Sequence, residues 1–169
     1  MILGILLTTL VGTAFGFLQS TLFFGIIPLG IVSDLAMIFL VAAAWRYGSL
    51  TGEISGFLIG LSFDITSLSP LGFHAFLFTL IGFLFGRMQG SIAPGPIITP
   101  ILAAGIAAFI KYLGFYLLSL LFSLDIVAFR YFILKVVFET LADMMLSPLI
   151  FLLAGFLIKL LAGRKGEFR

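Results

Sequence analysis

Asp34, Asp64, Lys111, Glu139 and Asp143 stand inside stretches that are otherwise almost wholly apolar, and the chain's one histidine, His74, lies ten residues after Asp64. Side chains of these types can pair as ions, relay protons or line a polar pocket, and within lipid each is a functional candidate by default. Glu53 and Asp64 are eleven residues apart. On a helix that is about 1100° of rotation, nearly one face, with about 16 Å between them along the axis. They are expected near opposite boundaries, Glu53 close to Arg46 and Asp64 beside Asp34 and His74. There they cap helices, as Asp favours, or line a polar outer pocket. Lys111 and Asp143 fall at similar depth on the last two helices, where an ion pair is the cheapest arrangement. Lys135, Glu139 and Asp143 follow at four-residue steps, which makes them neighbours on one face. Pro148 can kink the helix beside them.

Catalysis finds little to work with. HExxH, GxSxG and Walker A motifs are absent. One histidine and no cysteine leave little for metal or nucleophilic chemistry, so neither a cofactor nor a metal is expected. An aspartyl intramembrane protease needs paired aspartates at one depth, whereas Asp143 is expected deeper than Asp64. No basic patch supports nucleic-acid binding.

The elements that position these charges must be membrane helices. Of 169 residues, 62% are hydrophobic and 9% charged, against about 25% charged in an ordinary globular domain. With a mean hydropathy of +1.33, the chain reads as an integral membrane protein. Breaks at proline, glycine and charged residues divide it into six apolar segments, 2–27, 31–47, 50–64, 71–87, 97–123 and 129–162. The first is read as a spanning helix, not a cleaved signal. The expected architecture is an all-α bundle of about six transmembrane helices forming one domain over 1–169, with turns around Pro28, Gly48, Pro70, Pro94 to Pro96 and Asp125. Short connections make successive helices antiparallel. With both termini cytoplasmic, Arg46, Arg87, Lys159, Arg164, Lys165 and Arg169 fall on the inner side and only Arg130 lies at the edge of an outer loop, as the positive-inside rule favours. The second to fourth segments are short, roughly 21 to 25 Å at 1.5 Å per residue, and could include a re-entrant pair.

Glycine supplies a second pattern. Gly48, Gly52, Gly56 and Gly60 recur every fourth residue, and Gly4, Thr8, Gly12, Gly16 and Ser20 repeat the device. Small residues at this spacing let helix backbones approach closely in lipid. The two stripes therefore serve packing within the bundle or dock a partner helix.

The run SDLAMIFLVAAAWRYGSLTGEISGFLIGLSFDITSLSPLGFHAFLFTLIGFLFGR, from Ser33 to Arg87, resembles the central signature of the rod shape-determining MreD family. The matching positions are Asp34 and Leu35, Arg46 and Gly48, Gly60, Leu61 and Asp64, Pro70, Leu71 and Gly72, and Gly86 with Arg87. LADMMLSPLIFLL resembles that family's last helix. Ser33 stands where the family commonly has proline, and Asp143 where it commonly has asparagine.

The resemblance implies a non-enzymatic subunit of the bacterial cytoplasmic membrane that binds MreC and works with MreB, RodA and penicillin-binding protein 2 in peptidoglycan synthesis during elongation. On that reading the glycine stripes dock the MreC transmembrane helix. The family is similar in fold to the substrate-binding components of energy-coupling-factor transporters, so the alternative is a component that binds a vitamin or other small molecule in an outer pocket near Asp34, Asp64 and His74, with aromatic walls.

Overall fold

The computed structural model describes residues 2–22, 33–67, 70–90, 95, 97–122 and 129–161. Six helices account for nearly all of them: α1 (Ile2–Leu22), α2 (Leu35–Tyr47), α3 (Ser49–Thr66), α4 (Phe73–Gly86), α5 (Ile98–Leu121) and α6 (Phe129–Leu161). No strand occurs among the described residues. The turns expected around Pro28, Pro94, Pro96 and Asp125, and the basic residues Arg164, Lys165 and Arg169, lie outside them.

Helix length divides the bundle into two groups. α1, α5 and α6 are long and apolar enough to cross a membrane. α2 and α4 have 13 and 14 residues, about 20 Å each, short of the roughly 30 Å hydrocarbon core. Of the short helices, α2 is the hub, packing against all five others. Its sequence LAMIFLVAAAW is apolar all round, which suits a helix with no exposed face, and Ala36 to Trp45 are buried without exception.

The glycine stripe of α3 brings two backbones into contact. A methyl group on Gly52 would overlap the Gly82 carbonyl, one on Gly56 the Phe78 carbonyl, and one on Gly60 the backbone at His74 and Ala75. From the other side, a methyl on Gly82 would strike Gly52, and one on Gly86 would strike Ser49. The α3 glycine face is thus filled by α4. Gly48 departs from the stripe as well. It is the single residue joining α2 to α3, with φ +90° and ψ 175°, a backbone state essentially confined to glycine. On α1, Gly4 receives the Tyr47 ring, Gly12 receives Ile59 and Gly16 receives Phe63. This stripe also faces inward.

Pro148 sits inside α6. A proline lacks the N–H that would bond the carbonyl four residues earlier, here that of Met144. The Ser147 hydroxyl donates to this oxygen at 2.8 Å, so the helix continues through the proline with the freed acceptor satisfied.

Close packing at Gly56 sets a test. Gly56→Ala is expected to destabilise the protein by about 1–3 kcal/mol through overpacking, read as a lower unfolding midpoint in detergent. Gly105→Ala, where the nearest neighbour is the flexible Met144 side chain, should shift the midpoint far less.

Candidate functional site

The apolar length of α2 ends within the bundle, which leaves the amide groups of its first turn away from water. Each unsatisfied backbone group in such surroundings costs several kcal/mol, and the first four N–H groups of a helix have no partner inside it. Side chains from two neighbouring helices and from its own N-cap supply acceptors. Leu35 N–H donates to Gln19 Oε1 of α1 at 2.8 Å. Asp34 N–H donates to Asp143 Oδ1 of α6 at 2.7 Å, and Ser33 Oγ donates to the same oxygen at 2.7 Å. The Asp34 side chain closes the turn itself, accepting from Met37 N–H through Oδ1 at 3.0 Å.

Asp34 Oδ2 then accepts from Lys111 Nζ of α5 at 3.0 Å. Two carboxylates therefore face one ammonium group and one helix N-terminus, whose dipole is equivalent to about +0.5 charge. Lys111 also lies over the Tyr112 ring, 4.7 Å from its centroid, a further cation–π contact. Ser33, Asp34 and Asp143 are buried. Asp143 Oδ2 has no hydrogen-bond partner among the described residues.

This junction rearranges what the sequence suggested. Asp34 was expected at the outer boundary with Asp64 and His74, yet it joins Lys111 and Asp143, because α2 begins below the end of the bundle. Lys111 makes its ion pair with Asp34, while Asp143 engages the start of α2. Glu139 is buried and lies 3.6 Å from Lys135 one turn earlier, on the face that also carries Asp143. Glu53 is half-buried in α3.

Asp64 and His74 form a separate network. Asp64, near the end of α3, caps the start of α4: its Oδ2 accepts from Gly72 N–H at 2.9 Å and Ala75 N–H at 3.1 Å. Its Oδ1 accepts from His74 N–H at 2.8 Å and sits 2.8 Å from His74 Nδ1. The N-cap residue is Gly72, with φ +94°. Gly72 gives the turn but has no capping side chain, and Asp64 provides it from the preceding helix. Asp34 thus belongs to the junction at the start of α2, apart from the network of Asp64 and His74.

Sequence reasoning passed over Gln19, whose role depends on α1 lying beside the start of α2. Ser33 carried a visible signal. Ser33 and Asp143, the two positions that the resemblance singled out, are bonded to each other.

Among the described residues, no group of three or more His, Asp or Glu side chains is arranged to hold a metal ion. The polar side chains satisfy helix ends and pair across helices, an arrangement that locks a bundle together. Fold and site define a helical membrane protein built around a buried polar junction. Residues 1–157 match the family model described as rod shape-determining protein MreD, and the chain belongs to that family. Its role is therefore in rod shape determination, in a family of shape-determining membrane proteins. No curated protein and no solved structure matches the chain.

Two substitutions separate hydrogen bonding from charge. Asp143→Asn keeps an acceptor for Ser33 and Asp34 and should change stability by less than about 1 kcal/mol, whereas Asp143→Leu should cost at least about 2 kcal/mol by stranding both donors. Lys111→Met leaves Asp34 as an unpaired buried charge and should cost about 3–5 kcal/mol, with Asp34→Asn restoring part of the loss. Unfolding midpoints in detergent check each value.

Proposed function

We propose that this chain is a non-enzymatic membrane scaffold of the bacterial elongation complex. It binds MreC through the MreC transmembrane helix, and through it couples MreB filaments to RodA and penicillin-binding protein 2. The family match over residues 1–157 carries this reading. Supporting it, Asp34, Asp64, Lys111 and Asp143 are engaged in capping and ion pairing within the bundle, which suits a rigid platform.

On this reading residues 1–169 form one transmembrane domain in the cytoplasmic membrane, with both termini on the cytoplasmic side. The basic residues favour that orientation. Arg46 closes α2, Arg87 follows α4, and Lys159 lies in the last turn of α6. Gln89 Nε2 donates to the Arg46 carbonyl at 2.7 Å, and the Arg46 guanidinium lies against Gly155 of α6. These contacts draw the three helix ends to one side, as the positive-inside rule requires.

With the α3 glycine face filled by α4, MreC is expected to dock on a lipid-facing surface and leave that face undisturbed. Depletion of the chain should round rod-shaped cells, and the tagged protein should retain MreC when purified from membranes. Cells that stay rod-shaped, together with loss of MreC from the purified fraction, would overturn the reading.

A further inference from the structure

At the end of the bundle where Arg46 closes α2, a cavity of about 350 Å³ opens between α2, α5 and α6. Its lining includes Arg46, Pro100, Leu152, Gly155, Phe156 and Lys159. Both charged side chains in it are basic, and no carboxylate is present among the described lining residues. A methyl group on Gly155 would stand 2.7 Å from Arg46 Nη2. The bare backbone there lets the guanidinium lie flat against α6. Leu152 and Phe156 are 66% and 62% exposed and continue the cavity onto the apolar flank of the same helix.

Two unlike requirements thus meet in one place. A pair of cations with no acid partner among the described residues calls for an anion, and the planar guanidinium suits a phosphate oxygen pair. The adjoining exposed leucine and phenylalanine call for hydrocarbon. A free anion meets only the first requirement and a neutral lipid only the second. Basic cavities between membrane helices have the form of sites for anionic headgroups.

We propose that this cavity binds one anionic phospholipid, its phosphate held between Arg46 and Lys159 and its acyl chains laid along Leu152 and Phe156. The inference is independent of MreC. The site would tie the end of the central helix α2 to the last turns of α6 through a lipid, so that the surrounding leaflet becomes part of the bundle.

Native mass spectrometry of the full chain, released from mixed micelles containing equal phosphatidylglycerol and phosphatidylcholine, tests it. About a thirtyfold preference for one bound phosphatidylglycerol is expected, about 2 kcal/mol from roughly 1 kcal/mol for each of the two basic residues near the headgroup. The preference should fall to near parity in Arg46→Ala/Lys159→Ala and persist in Arg87→Ala, since Arg87 does not line the cavity and lies over Phe83. Equal retention of the two lipids by the unaltered protein would overturn the proposal without recourse to a variant. So would an unchanged preference in the double variant, or displacement of phosphatidylglycerol by millimolar inorganic phosphate, which would mark a free-anion site.

Discussion

The helix at the centre of this protein begins where water does not reach. α2 is about 20 Å long and buried along Ala36 to Trp45, so its first amide groups must be satisfied by the protein. That requirement recruits Gln19 from α1 and Asp143 from α6, and it places Asp34 where Lys111 of α5 can reach it. Four helices are fixed relative to one another by the needs of a single helix terminus. The charges follow from the same constraint, since a carboxylate is the strongest acceptor that can be offered to a buried N–H group.

The same solution recurs at smaller scale. α4 begins at Gly72, which turns the chain but cannot cap it, and Asp64 reaches from α3 to accept from the backbone of Gly72, His74 and Ala75. Pro148 frees a carbonyl in α6, and Ser147 answers it. In each case the polar residue stands where regular helix geometry leaves a backbone group without its partner. Polar side chains here maintain the hydrogen-bond account of a bundle surrounded by lipid.

Packing follows a different rule in each half of the bundle. Between α3 and α4 the contact is backbone on backbone, made by Gly52, Gly56 and Gly60 against Gly82 and its neighbours. Around α2 and α5 it is made by alanines, with Ala42 to Ala44 facing inward on one helix and Ala103, Ala104, Ala107 and Ala108 on the other. Lipid supplies little hydrophobic drive between helices, so close approach must supply the attraction through dispersion and short polar contacts. Larger side chains such as Leu102, Ile106 and Phe109 face outward.

Composition and periodicity alone determined the all-helical membrane class, the six segments to within a few residues at most boundaries, and the two small-residue stripes, because helix length and small-residue spacing are local properties. The motif from Ser33 to Arg87 pointed to the MreD family for the same reason. Which charges meet was decided only by tertiary structure. Sequence spacing put Asp34 with Asp64 at the outer boundary, and it could not show that α2 starts deep in the bundle, level with Lys111 and Asp143. It could also not show whether Gly52 and Gly56 face a partner or α4, since one glycine stripe serves either contact equally well. Pairings between residues a hundred positions apart, such as Ser33 with Asp143, depend on how short helices are set among long ones, and that relation exists only once the bundle has formed.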